Sequence, residues 1–133
     1  VNLEQAIHQR WAASSELQSL LPADNVTTGP GATATLPHAT IWRKSGRTVR
    51  RTNAEDSLDE VTLEISVWHD DHDAGRAVAE ALRAAFDRAA FPLAGGDRVM
   101  QMRRIAESTT QSPRGTWQMA TQFLVRVHLC SDE

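Results

Sequence analysis

His69-Asp70-Asp71-His72-Asp73 is the densest group of potential metal ligands in the chain. Imidazole nitrogens and carboxylates can bind a divalent ion, and a strand–helix junction would bring them to one point. The spacing matches no metal signature such as HExxH, and two histidines need a further ligand from elsewhere. The same residues have a plainer use. Aspartate is favoured at a helix start, where its side chain caps free N–H groups and its charge meets the positive helix end. On that reading Asp70 or Asp71 caps a helix, and no metal, cofactor or catalytic residue is expected. A small metal-binding hydrolase or ligand-binding domain built on His69–Asp73 is the alternative.

The remaining candidates for chemistry are weaker. No GxSxG elbow accompanies the serines and histidines. Gly29-Pro30-Gly31 and Gly95-Gly96 do not join a strand to a helix N-terminus, so they read as turns and not as phosphate cradles. Cys130 has no activating histidine or basic cluster beside it in sequence and reads as a small packed residue. Arg43, Lys44, Arg47, Arg50 and Arg51 form the one basic block. It suits contact with nucleic acid or with an acidic neighbouring subunit, and equally a solvated hairpin. Trp42 alone accompanies it, so no base-stacking platform is indicated.

The bulk properties narrow the field. The chain has 133 residues, which suits one domain over residues 1–133. The net charge is −3, so the molecule as a whole is no polyanion binder. One cysteine cannot form an intramolecular disulfide. No apolar run approaches the roughly 20 residues that cross a bilayer, so no membrane partner is expected. Val1–Ala13 carries an acidic residue and no hydrophobic block, which is not a signal peptide, and a reducing cytosol is the expected site of synthesis.

The elements that would position these residues centre on Leu58–Ala90. Val61, Leu63, Ile65 and Val67 alternate with polar residues, as in a strand with one buried face. From Ala74 the period changes. Ala74, Ala77, Val78, Ala81, Leu82, Ala85, Phe86 and Ala89 make one stripe of an amphipathic helix that ends near Ala90. Upstream, Asn2 with Gln5 and Ser15 with Gln18 look like capping boxes for two short helices. Ala23–Leu36 reads as a long loop, and His38–Lys44 as a strand. Ser45-Gly46 signals a turn, so Ile41–Thr52 is either one long strand with a protruding arm or a hairpin. Asn53–Ser57 reads as a further turn.

Downstream, Val99–Ser108 reads as a strand with Val99, Gln101, Arg103 and Ile105 on one face and Met100, Met102, Arg104 and Ala106 on the other. Thr109–Gly115 is a hairpin loop. Trp117, Met119, Thr121, Phe123, Val125, Val127 and Leu129 alternate through a last strand, and Ser131–Glu133 is a tail. The order α(α)-β-β-α-β-β implies an α+β domain: an antiparallel or mixed sheet of four to five strands, with the long amphipathic helix and the N-terminal helices on one face. If Leu58–Trp68 and Val99–Ser108 are parallel neighbours, their helical crossover is right-handed. Trp42 and Trp68 put large side chains on a sheet that has helices for only one face. The other face then needs another molecule, which argues for an oligomer.

In this order, the chain resembles the small bacteriophage tail completion or tail terminator proteins of the tail neck. The resemblance spans nearly the whole length. It rests on Leu3-Glu-Gln-Ala-Ile7 followed by Leu17–Leu21, on Leu36-Pro37 opening a strand with Ile41-Trp42, on Leu63-Glu-Ile-Ser-Val-Trp68, and on the Ala74–Phe86 helix. The family's usual Tyr after Leu-Pro is replaced here by His38-Ala39, and Asn53–Ser57 departs from the commoner Gly-rich turn.

The resemblance implies a structural, non-enzymatic virion protein, assembled in the bacterial host cytoplasm. It implies a homohexameric ring that caps the tail tube, ends its polymerisation and meets the head-tail connector or stopper protein. Nucleic acid would be met only by passage through the lumen. The resemblance covers phage, prophage and gene transfer agent particles alike. Two different patches must serve a ring. Trp42, Arg43, Arg47, Arg50, Arg51, Trp68, Asp70 and Asp71 are the expected subunit or neighbour contacts, with the arm at 43–51 meeting acidic Glu55–Glu60 or Asp70–Asp73. Ala23–Leu36 and Thr109–Gly115 are expected to reach the tube or connector.

Overall fold

The computed structural model describes residues 3–29, 36–51 and 57–129. Two helices open the chain, α1 (Leu3–Ala13) and α2 (Ser15–Leu20). A 3-10 turn (Ala23–Asn25) leads into β1 (Val26–Thr28). Then come β2 (His38–Arg51), β3 (Ser57–His69), α3 (His72–Phe86), β4 (Phe91–Pro92), β5 (Arg98–Gln111) and β6 (Trp117–Leu129). The strands form one sheet in the order β1-β2-β3-β6-β5-β4. β1 runs parallel to β2, and every other pairing is antiparallel.

The class is α+β, as expected, but the sheet has 6 strands and not four to five. β1 has 3 residues and β4 has 2, too few to display a period-two pattern. β1 lies inside the segment expected to be loop. β6 separates β3 from β5, so the strands on either side of α3 are not neighbours. Asn2, Pro30, Gly31, the turn at 53–56, Cys130 and the tail lie outside the described residues.

All three helices cover one sheet face. α3 lies against β3 and β6, α1 reaches β2, and α2 packs on α3. The stripe of α3 meets the alternating residues of the two central strands. Val78, Leu82 and Phe86 are buried with Leu63, Ile65, Phe123 and Val125. Burying such a side chain contributes about 1.5–3 kcal/mol, so this layer is the main source of stability. α1 brings Leu3, Ile7 and Trp11 to the same core, and the Trp11 indole N–H donates to the Leu21 carbonyl at 2.8 Å.

The caps differ in detail from the expected ones. Ser14, not Ser15, caps α2 by accepting the Leu17 N–H, while Gln18 turns away to accept the Ala23 N–H. α3 starts at His72 and stops at Phe86, short of Ala90. Arg88 adopts φ 65°, which reverses the chain. Its N–H donates to the Met102 carbonyl, and the Met102 N–H donates to the Ala89 carbonyl.

β2 is one continuous strand, not a hairpin, and it pairs with β3 as far as Arg51. Ser45-Gly46, read as a turn, lies inside it. The signal for irregular backbone appears instead as a β-bulge at Lys44, and a second bulge follows at Val49. β5 is bulged twice as well, at Met100 and Ile105. This overturns the simple alternation expected for β5. Val99 and Met102, assigned to opposite faces, are both buried on the helix side because the extra residue resets the pleat.

Lys44 and Ile105 flank the Leu63–Phe123 pair from either side, and Val49 and Met100 flank Asp59–Val127. The straight central pair is therefore bordered by two strands that bend in the same two bands. Bulges raise local twist and bend a strand, so matched bulges curl the whole sheet.

Candidate functional site

The sheet face away from the helices holds three of the eight expected contact residues, Trp42, Arg47 and Trp68. Strand pairing places Trp42, Glu64, Gln122 and Ala106 in one row of that face, and Arg47, Glu60, Arg126 and Gln101 in another. Its centre is polar. The Glu60 carboxylate accepts from Arg47 at 2.9 Å and from Arg126 at 3.2 Å. Hydrogen bonding from Arg47, helped by its charge and by Arg126, holds Glu60 below the usual carboxylate range. Glu64 pairs with Lys44 at 3.2 Å and accepts from Gln122 at 3.4 Å.

The flanks are apolar. The exposed large hydrophobic residues among those described are Trp42, Val49, Met100 and Ile105, all on β2 and β5. Three of the four sit at bulges. Trp42 is 40% exposed, with the Lys44 ammonium 5.9 Å from its ring centre. Trp68 is half-buried, its ring 6.3 Å from that of His38. His38 is itself buried and within 3.2 Å of the Thr27 hydroxyl, and desolvation lowers its pKa below the ordinary histidine value.

The basic block does not act as one patch. Arg43 points to the helix side and donates to Glu4 of α1 at 2.8 Å. Lys44 and Arg47 point to the opposite face, because the bulge at Lys44 turns the alternation over. Arg47 keeps 76% of its side chain exposed while bonded to Glu60. Arg50 and Arg51 continue β2, and their side chains lie outside the described residues. Beside Arg43 is a small cavity of about 120 Å³, bordered by Leu3, Asp59 and Val127. One buried oxygen of Asp59 has no hydrogen-bond partner among the described residues.

His69–Asp73 builds a helix start. Asp71 is the N-cap of α3 and accepts the Asp73 N–H at 3.3 Å. The His69 Nδ1 accepts the Asp71 N–H at 3.0 Å, and Asp70 lies 3.1 Å from the same nitrogen. The His72 ring packs edge-on against Trp117 at 4.6 Å. Among the described residues no three His, Cys, Asp or Glu side chains converge on a point that would hold a metal ion. A larger groove of about 260 Å³ lies between α3 and the far end of β5, bordered by Arg76, Arg83, Glu107 and Thr109.

Trp42, Trp68 and Arg47 thus share a face, whereas Arg43 is on the other side and Asp70 and Asp71 stand at the end of β3. Three features had no reading in the sequence: the two-arginine clamp on Glu60, the matched bulges, and the close packing of Gly75 in α3 against the Met119 side chain of β6. A glycine inside an otherwise alanine-rich helical stripe was the available signal for the last.

Residues 5–128 match the protein family described as "Tail completion protein gp17". A chain of the solved "Virion of native gene transfer agent (GTA) particle" has a similar fold, with a TM-score of 0.75. It is 17% identical, and the likeness covers 95% of this chain and 94% of that one. No curated protein matches the chain.

Proposed function

We propose that this chain, which belongs to the tail completion protein gp17 family, closes into a homohexameric ring at the tail neck. The family places it among structural components of a phage-type tail and not among catalysts. In our reading the ring sits on the last turn of the tail tube, ends its polymerisation, and offers its other rim to the head-tail connector or stopper. DNA meets the protein only in the lumen.

The observation that carries the ring is the uncovered sheet face. Trp42, Val49, Met100 and Ile105 leave apolar area in water on a face that no helix of the described chain covers. Such area is normally removed by a partner. All four lie on β2 and β5, toward the two edges of the sheet, so a heterologous contact between copies at those edges, repeated until it closes, shields them in every subunit. The capping role rests on the family and on the likeness to a virion chain.

Deleting the gene in a particle-producing strain tests the role. The expected result is tails of uncontrolled length, or tubes that fail to join heads, with restoration by the supplied gene. Normal particles made without the protein sink the proposal.

A further inference from the structure

We infer that neighbouring copies join by edge-to-edge β-pairing, the β5 edge of one subunit accepting the β2 edge of the next; this rests on the ring reading above. Both edges are incomplete. β1 pairs only with Ala39–Ile41 of β2, so no strand among the described residues lies along 43–51. On β5, β4 pairs with Arg98 and Val99 alone. The outward N–H groups of Met102 and Arg104 are taken by the Ala89 carbonyl and the Asp87 carboxylate. Beyond the Ile105 bulge, no described strand borders 105–111.

The two edges are complementary in direction. β2, β3, β6 and β5 alternate up and down, so β5 of one copy beside β2 of the next continues the antiparallel alternation. They are also complementary in shape. Bulges and charges on an edge normally prevent pairing with a flat strand. Here both edges are bent, and with Thr48 opposite Glu107 the Val49 bulge of one copy falls beside the Ile105 bulge of the next. A strand bent to match still fits.

A strand from the tube or the connector would fill one edge and leave the other bare in every subunit. A second copy fills both. The open lengths lie at opposite ends of the sheet, since 43–51 borders the start of β3 and 105–111 borders the start of β6. Each neighbour is therefore displaced along the strands, and the strands tilt against the ring axis, as they do in any closed barrel.

Register follows from backbone alternation. The Ile41 carbonyl points outward to Gly29, and after the Lys44 bulge the outward residues are Gly46 and Thr48. On β5 the outward residues past Ile105 are Glu107, Thr109 and Gln111. Pairing that keeps helix-side residues on the helix side lets Gly46 face Glu107, Thr109 or Gln111. Of these, Gly46 opposite Thr109 with Thr48 opposite Glu107 also sets the Val49 bulge of one copy beside the Ile105 bulge of the next, and is the register we take. Ser45 then faces Thr110 in a non-hydrogen-bonded pair, where Cα atoms come to about 4.5 Å, within disulfide reach.

The test is Ser45→Cys with Thr110→Cys in one chain, on a Cys130→Ser background, oxidised after native mass has established the assembly. We expect a covalent ladder from the double variant and single chains from each single variant. An assembly of native mass that gives no ladder from this pair, nor from Ser45→Cys with Ser108→Cys or with Ser112→Cys, the registers two residues to either side, overturns the edge contact and leaves the ring standing. A covalent dimer from either single variant also overturns it, because identical edges would then have met. A chain that never assembles, in solution or on particles, overturns both. Thr109→Pro is the second variant, removing one outward N–H. It should stay folded by circular dichroism and lose assembly; a folded T109P protein that still assembles counts against the pairing.

Discussion

Gly75 and Met119 pack so closely that a β-carbon on the glycine would stand 2.9 Å from the methionine sulfur and 3.2 Å from the His69 β-carbon. This contact lets the first turn of α3 settle against β3 and β6, the strands that carry the core. Alanine at the site gains helix propensity of about 1 kcal/mol but must displace the buried Met119 tail. Valine adds a branched side chain with no room to turn. Gly75→Val should lower unfolding free energy by about 1–3 kcal/mol, as overpacked cores do. Adding Met119→Ala should recover part of that loss in a double-mutant cycle measured by urea unfolding. Independent, additive losses would show that the two residues do not press on one another.

The regular elements of the fold are the ones whose pattern shows in the sequence. β3 and β6 pair without a shift along their full length, so Val61–Val67 and Met119–Val127 alternate in sequence as they do in space. The stripe of α3 was equally plain, although its end was not, because Arg88 turns the chain through a backbone angle that its residue type does not signal. Met102 departs from the simple alternation of β5, because its burial depends on the bulge at Met100. A bulge is a relation between two strands, and one strand's pattern cannot display it. The basic block was visible as charge, but Arg43 and Arg47 diverge to Glu4 and Glu60 only once the Lys44 bulge is known.

Glu60 gives an acid-side signature. Its carboxyl is held below the usual range by the hydrogen bond from Arg47, then by the charges of Arg47 and Arg126. In the unfolded chain it titrates near its ordinary value of about 4.3. Above that pH its contribution to stability is fully present. It is lost as pH falls through the lower, folded value, where the unfolded chain binds the proton first. The wild-type protein should therefore be more stable than Glu60→Gln at neutral pH, with the gap closing below about pH 4. Denaturant unfolding across that range measures it, and a gap independent of pH would mean the clamp contributes nothing through charge.

His38 should act nearer neutrality. Burial lowers its folded pKa, so the unfolded chain takes up the proton first as the solution is acidified. Its contribution is present above the ordinary value of about 6.5 and is lost as pH falls through the folded value. Trp68, 6.3 Å away, is the reporter. Protonation should change its fluorescence, and His38→Asn should remove both that change and the accompanying slope in stability. A slope that survives in H38N would assign it to another group.

Trp11 and Trp42 should separate folding from assembly. Trp11 is fully buried and its indole N–H is bonded to Leu21. Trp11→Ala opens a large cavity and leaves that carbonyl unpaired, so it should cost about 3–5 kcal/mol of stability and lose assembly only because the subunit unfolds. Trp42 is 40% exposed on the uncovered face. Trp42→Ala should leave the isolated subunit within about 0.5 kcal/mol of wild type, the ordinary range for surface changes. If the joint between copies shields this side of β2, the same substitution should raise the concentration needed for assembly, read by sedimentation velocity. A Trp42→Ala protein that folds and assembles as wild type does would place the subunit contact away from this side of β2.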